Sequence, residues 1–347
     1  MTLQSQQPQI EASQSYFKAF LESSLRSLEK VDGLRLYAGG VENIVQDECC
    51  VAFLEGRGEG AVEIIQPELE APRRPVVAID TSSIRVAAGS RGVVIAVRGA
   101  IVTRDRSKTA VEVLGPLVFY VSYENMGELL ASVLGAAPLE AWGNYQLYNS
   151  IQRVMAGLIE KRMQEYAAEH YTDSILLFDG SLSAGPLDNP LYLVGRILEK
   201  ARPRGNDILA FSKTSVLRVW GELLTTLGAE AEPPYLVEVT QAVRSAEMRV
   251  RVLGDIFLAR LCPGCSGFRV DASITASAER VFGSLLRSDA LVYGYPETLI
   301  LAHDYCTFSK LDVLAIQAML RRRSVEIIHP TSIRDLLFNP VDGEVFR

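Results

Sequence analysis

Ser174-Ile175-Leu176-Leu177-Phe178-Asp179-Gly180-Ser181-Leu182 is an apolar run of strand length that stops on a carboxylate and passes into a turn sequence. A second run, Val76-Val77-Ala78-Ile79-Asp80-Thr81-Ser82-Ser83, is built the same way. A buried carboxylate is costly without a partner, so an apolar strand that ends in Asp asks for a reason. Turn capping is one, because Asp, Ser and Gly are good turn formers. A shared cation is the other. Two carboxylates at adjacent strand ends repel each other unless a proton or a cation lies between them.

Whether the two ends are adjacent depends on the elements around them. Val76 to Ile79 reads as a buried strand ending at Asp80. Ile84 to Ala88 and Val93 to Val102 read as two more strands with a hairpin turn at Gly89–Gly92. Val111 to Val121 extends the series. Helical spacing follows from near Asn125 and again from about Tyr145 to Glu169. The strand ending at Asp179 comes next, then a helix from about Pro190 to Ala201. A strand at Ile208–Phe211 and a helix from about Ser215 to Leu227 complete the set. This is the element order of a ribonuclease H-like α/β fold, a mixed sheet flanked by helices. Right-handed crossovers make its later strands parallel, and the first and fourth strands lie side by side. Asp80 and Asp179 then meet outside the carboxyl ends of parallel strands, where α/β sheets place ligands.

Additions flank this core. Residues 1–72 carry a helix with apolar positions Phe17, Phe20, Leu21, Leu25 and Leu28. Short strands around Val51–Leu54 and Val62–Ile65 follow, separated by the Gly56–Gly60 stretch. Pro67, Pro72 and Pro75 mark a boundary, so the core is expected over 73–230. An α/β part over 231–347 returns residues to the same edge, with strands at Tyr235–Val239, Val250–Leu261 and Phe268–Val270. Helices at Ala276–Leu286 and Lys310–Arg321 and a strand at Val325–Ile328 end the pattern.

Composition bounds the function. The 347 residues are 48% hydrophobic and 22% charged, which describes a globular chain and excludes disorder as the main state. No apolar run reaches the roughly 20 residues of a membrane helix. Met1 to Ser15 lacks the charged-then-apolar order of a signal peptide, so a soluble cytoplasmic protein is expected. The net charge of −7 argues against a generic nucleic-acid coat but permits a local basic path. The 28 arginines outnumber the 7 lysines, which genome composition explains as well as phosphate contacts do. Five scattered cysteines do not form a disulfide framework. Cys262-Pro263-Gly264-Cys265 lacks a second half, and His303 with Cys306 is the one tempting pair for a zinc site.

Hard oxygen ligands suit magnesium or manganese, and Asp80 and Asp179 supply them. A third carboxylate is expected from the long helix, which runs back alongside the strand ending at Asp179. The rises of strand and helix put the level of Asp179 roughly 13 residues back from the helix end, near Gly157. Glu160 is the nearest carboxylate and Glu165 falls short. Against this, the stripe of Leu147, Ile151, Val154 and Leu158 passes through Glu165, leaving Glu160 on the other face. His303 follows Leu299-Ile300-Leu301-Ala302 and reads either as a core histidine or as the end of one more strand at the same edge. Tyr295 is a core aromatic or orients a phosphate or a water. Lys213 directly follows a strand and is placed to face phosphate; Arg85, Arg91 and Arg321–Arg323 are candidate phosphate guides, the last also a simple basic helix end.

In order along the chain, Ala78-Ile79-Asp80-Thr81-Ser82, Leu158-Ile159-Glu160-Lys161-Arg162, Leu176-Leu177-Phe178-Asp179-Gly180-Ser181-Leu182, Phe211-Ser212-Lys213-Thr214-Ser215, Tyr295 and Leu301-Ala302-His303 resemble the NurA nucleases. The set spans Val76 to His303, and Asp179-Gly180-Ser181-Leu182 is its most specific member. At the first motif this sequence has Thr81 where the family usually has Gly. The resemblance implies a manganese-dependent nuclease, with magnesium as the alternative ion. Its implied activity is 5′-to-3′ exonuclease on single- and double-stranded DNA, with single-strand endonuclease activity. It also implies a homodimer and partnership with a HerA-type hexameric ATPase in double-strand-break end resection. By motif matching, Asp80, Glu160, Asp179 and His303 form the metal shell, with Tyr295 close by.

Two other readings fit the same sheet. An actin-like ATPase or phosphotransferase also uses Asp-rich phosphate turns, but the second half lacks the paired glycine turn for adenosine. A non-catalytic adaptor of a motor ATPase has no need of Asp80, Asp179 and His303 together.

Overall fold

The computed structural model describes residues 7–38, 63–134, 150–185, 189–213, 218–219, 222–244 and 251–328. Their centre is an 11-stranded mixed sheet. In chain order its strands are β1 (Arg35–Ala38), β2 (Ile64–Ile65), β3 (Val76–Ala88), β4 (Gly92–Asp105), β5 (Lys108–Ser122), β6 (Ile175–Asp179), β7 (Asp207–Ser212), β8 (Tyr235–Glu238), β9 (Asp255–Arg260), β10 (Phe268–Ser273) and β11 (Glu326–Ile328). The spatial order is β11-β1-β3-β6-β7-β10-β9-β8-β2, with β4 and β5 continuing from the other side of β3. The substructure β5-β4-β3-β6-β7, with antiparallel β5, β4 and β3 and parallel β3, β6 and β7, has the ribonuclease H-like order.

Helices α1 (Gln7–Glu29), α2 (Met126–Leu134), α3 (Ile151–His170) and α4 (Leu191–Ala201) cover one face. Odd-numbered β3 residues Val77 and Ile79 pack there with Phe17, Leu130, Leu158 and Leu193. Helices α5 (Ala278–Ser288), α6 (Glu297–Cys306) and α7 (Lys310–Arg321) cover the other face. Even-numbered Val76 and Ala78 pack there with Phe282, Leu299 and Ala302, and Ile84 and Val86 with Ile316 and Leu320. The period-2 alternation of a strand thus feeds two cores. Gly99 of β4 allows α3 its close approach, since a Cβ there would lie 2.2 Å from Met163 Sδ.

Three expectations are corrected. The strand entering Asp80 does not stop: β3 is one 13-residue strand through Asp80, Thr81, Ser82 and Ser83. Those residues look like a turn in isolation but pair continuously with Ala100, Gly99, Arg98 and Val97 of β4, and tertiary pairing overrides the local signal. The apolar run before His303 is helical, not a strand. Thr298, Leu299, Ala302 and Cys306 are its buried positions, a spacing of three and four that fits a helix, and Pro296 precedes its first turn. The helix expected over Ser215–Leu227 gives way, where described, to short paired strands at Arg218–Val219 and Glu222–Leu223 and a 3₁₀ turn at Leu224–Thr226. Val219, Leu224 and Leu227 bury against Tyr235, Val237 and Leu258 instead. The strand at Val51–Leu54 and the first residues of the helix from Tyr145 lie outside the described residues.

At the end of the sheet opposite Asp80 and Asp179, Arg74 ties the strand starts together. It donates to the carbonyls of Asp173, Ser174 and Gly205 and pairs with Asp207. Asp207 is fully buried and also accepts from Thr275 N at 2.6 Å and Thr275 Oγ1 at 2.9 Å. Removing one partner of a buried pair leaves an uncompensated charge, at about 3–5 kcal/mol. Asp207→Ala is therefore expected to lower unfolding stability by that order in urea titration, whereas a change under about 0.5 kcal/mol, typical of an inert surface site, refutes the clasp.

Candidate metal centre

The parallel ladder of β3 and β6 ends with Ile79 opposite Phe178. Asp80 and Asp179 come next on each strand, so they stand side by side and leave the sheet on the same face. From Asp80 to Val86 that edge of β3 has no strand partner among the described residues, because β6 has stopped and β1 pairs only at Ala87 and Ala88. The gap lets side chains from both helical layers reach the aspartates.

Helix α6 supplies His303, whose Nδ1 lies 2.8 Å from Asp80 Oδ2. Tyr295, just ahead of α6, donates its hydroxyl to Asp179 Oδ1 at 3.3 Å. Lys213, the first residue after β7, pairs with Asp179 Oδ2 at 2.6 Å and lies over the Tyr295 ring. From the opposite face α3 supplies Glu160. Thr81 Oγ1 donates to its Oε2 at 3.1 Å, and Gln164 Nε2 and Lys161 Nζ reach its Oε1 at 2.8 and 3.4 Å. Glu165 belongs to a separate ion cluster with Arg162, Arg196 and Lys200. Because α3 is buried on nearly all sides, its apolar stripe does not discriminate between the two glutamates. Arg85 is exposed farther along β3 and stands apart from this hydrogen-bonded set. At the end of α7, Arg323 reaches Leu28 O and Asp32.

The turn after Asp179 is built to hold it. Gly180 takes a φ of +102°, a region L side chains rarely adopt. Its N–H donates to Phe211 O at 2.8 Å and its carbonyl accepts from Ser212 Oγ at 3.0 Å. Leu182 N donates to the buried carboxylate of Asp271 at 3.0 Å, and Arg269 holds Asp271 with two bonds of 2.8 Å. Helix α6 is gripped at both ends from β4. Arg104 pairs with Asp289 and Glu297, and Asp289 in turn accepts from Thr298 N and Oγ1 in the first turn. Arg98 donates to Thr307 O, pairs with Asp312 and lies over the Phe308 ring.

The field in this notch is dominated by anions. Burial first, and then the nearby Asp80 and Asp179, raise the Glu160 carboxyl to about 7 against the pull of Lys161. Burial and then Asp80 raise Asp179, opposed by Lys213 and Tyr295. The hydrogen bond to Asp80 raises His303. Burial works against the charge of Lys213, but Asp179 outweighs it and holds the ammonium above its ordinary value. Burial, followed by the two aspartates, raises the Tyr295 phenol. These residues fit a divalent cation. Among the described residues Asp80 and His303 are in ligand range of each other, and Asp179 and Glu160 add carboxylates that burial first, and then the neighbouring aspartates, raise.

Several contributors were missed by the sequence reading. Thr81, Lys161 and Gln164 hold Glu160, and Arg269 and Asp271 hold the turn. Cys306, paired with His303 from the sequence, lies beside Asp80, because three residues after His303 is the same face of a helix. Cys262 and Cys265 form a disulfide with each other, away from His303 and Cys306, so the four do not make one zinc site.

Fold and site together define an α/β protein with a ribonuclease H-like sheet and carboxylates side by side where the ladder between its first and fourth core strands ends. No match was found among protein-family models or curated proteins. Among solved structures the chain is similar to the NurA nuclease from Sulfolobus solfataricus, at 17% identity over 77% of this chain and 88% of that one, with a TM-score of 0.48. It is similar to a second NurA crystal structure at 12% identity, covering 75% and 90%, TM-score 0.47. Endonuclease V from Bacillus subtilis follows at 10%, covering 72% and 83%, TM-score 0.33. No described helix is long and apolar enough to cross a membrane.

The raised Glu160 carboxyl makes a prediction about stability. A folded-state value of about 7 against an ordinary 4.5 means the folded protein keeps this proton longer than the unfolded chain. That contribution is full below the unfolded value and is lost as pH rises through about 7. In chelator at pH 8, Glu160→Gln is expected to be more stable than the parent chain by on the order of 1–3 kcal/mol, with the gain vanishing near pH 4. Denaturation midpoints at the two pH values check this. Equal destabilisation at both refutes the assignment of Glu160 to an anion-crowded site.

Proposed function

We propose that the protein is a divalent-cation-dependent DNA nuclease. The observation that carries the reading is that Asp80 and Asp179 stand side by side at the end of the β3–β6 ladder, with His303, Lys213 and Tyr295 in direct contact with them and Glu160 held beside Asp80 by Thr81. Asp80, Asp179, Glu160 and His303 would hold the cation. When bound, such an ion makes a water nucleophilic at neutral pH and stabilises the leaving oxygen of a phosphodiester.

The chain's own groups have separate tasks. Tyr295 and Lys213 fix the orientation of Asp179 from its two oxygens. The Lys213 ammonium, kept charged by Asp179, faces a phosphate oxygen of the substrate. Thr81, Gln164 and Lys161 aim Glu160 across the sheet edge. His303, anchored at Nδ1 by Asp80 and half exposed, would offer its other ring nitrogen to the cation.

The ordered motifs that resemble the NurA nucleases extend the reading. They favour manganese, with magnesium as the alternative. They also favour 5′-to-3′ exonuclease action on single- and double-stranded DNA with single-strand endonuclease activity. A homodimer working with a HerA-type hexameric ATPase in double-strand-break end resection and repair, in the cytoplasm, is the corresponding setting.

Titration of manganese into purified protein with end-labelled single-stranded DNA tests the proposal. The parent chain is expected to cleave only with the ion. Asp179→Ala is expected to lose more than the roughly 10–100-fold that follows loss of an outer-shell partner, with its circular dichroism unchanged. Cleavage by Asp179→Ala at the parent rate, or none by the parent, sinks it.

A further inference from the structure

Cys306 ends α6 with its thiol buried against the carboxylate cluster, and the nuclease reading leaves it without a task. Ligand atoms of Asp80, His303 and Cys306 all lie within 4.8 Å of one another. His303 and Cys306 share a helix face at a spacing of three, and Asp80 faces both from β3. The three donors differ in kind: a hard oxygen, an imidazole nitrogen and a soft sulfur. Hard ions such as magnesium and manganese take oxygen-rich shells and gain little from sulfur. Zinc binds this mixture in tetrahedral sites, with bonds of about 2.0–2.3 Å and donors therefore roughly 3.3–3.8 Å apart. The observed spread needs only side-chain adjustment to reach that.

We propose that Asp80, His303 and Cys306 form a site for a thiophilic divalent cation of the zinc class. It draws Asp80 and His303 away from the hard-ion cluster formed with Asp179 and Glu160. Three protein ligands leave a fourth position for water. The half-exposed His303 ring gives the ion a way in to the buried thiol. Binding converts the thiol to a thiolate and releases that proton to solvent; no electron is transferred. A cation so held occupies the place of Asp80 in the larger cluster, so zinc opposes the activity that manganese supports. The binding claim rests on these three residues alone, and only its inhibitory consequence rests on the nuclease reading.

Cobalt(II) reports the site without DNA, because a cobalt–thiolate bond gives a near-ultraviolet charge-transfer band and tetrahedral cobalt gives strong visible bands. Metal-free full-length protein is expected to develop both to one equivalent, and added zinc to bleach them. Cys306→Ser is expected to lose the charge-transfer band. The quadruple variant Cys49→Ser, Cys50→Ser, Cys262→Ser, Cys265→Ser keeps Cys306 as its one thiol and is expected to retain it. A missing band in the parent chain, a band that survives Cys306→Ser, or one lost in the quadruple variant overturns the proposal. In manganese-dependent DNA cleavage, the zinc concentration for half inhibition is expected to rise about 10–100-fold in Cys306→Ser, and an unchanged value overturns the inhibitory role. If the parent chain cleaves no DNA but shows the cobalt band, the nuclease reading fails while this site stands.

Discussion

Two parallel strands that stop pairing at the same level force their next residues together. In this protein those residues are Asp80 and Asp179, and like charges side by side are tolerated only with compensation. Much of the surrounding chain can be understood as that compensation. Lys213 and Tyr295 take the oxygens of Asp179, and His303 takes one oxygen of Asp80. Burial, and after it the repulsion that remains, raises the carboxyls of Asp179 and Glu160.

The second requirement is rigidity, since a metal shell works only when its ligands stay within a fraction of an ångström. Strand β4 provides it from beneath α6: Arg104 fixes the helix start through Asp289 and Glu297, and Arg98 fixes its end through Thr307 and Asp312. On the other side, the Arg269–Asp271 pair pins the turn after Asp179. Both grips come from residues inside strands, so the ligands inherit the stiffness of the sheet. The Arg74–Asp207 clasp does the same for the far ends of β3, β6 and β7.

The element order of the core was legible because apolar runs, turn residues and crossover handedness leave few topologies for that pattern. The rises of strand and helix put the level of Asp179 near Gly157, and Glu160, three residues on, is the carboxylate that accepts from Thr81. What was not legible came from pairing between distant segments. Thr81, Ser82 and Ser83 look like a turn until β4 lies beside them, and Leu299–Ala302 looks like a strand until its burial shows the spacing of a helix. A strand would send His303 and Cys306, three apart, to opposite faces, so only the helix puts that pair on one side. The arginines that grip α6 carry no local signal, since their acidic partners lie up to 214 positions away.

The central claim is that Asp80, Asp179 and Glu160 form one cation shell with His303. Anomalous diffraction from a manganese-soaked crystal reads it directly. The account predicts a peak within about 2.0–2.6 Å of oxygens from both Asp80 and Asp179, on the side of Glu160 and His303. Manganese bound elsewhere with none at this notch, or a peak that involves Glu165 in place of Glu160, would contradict it.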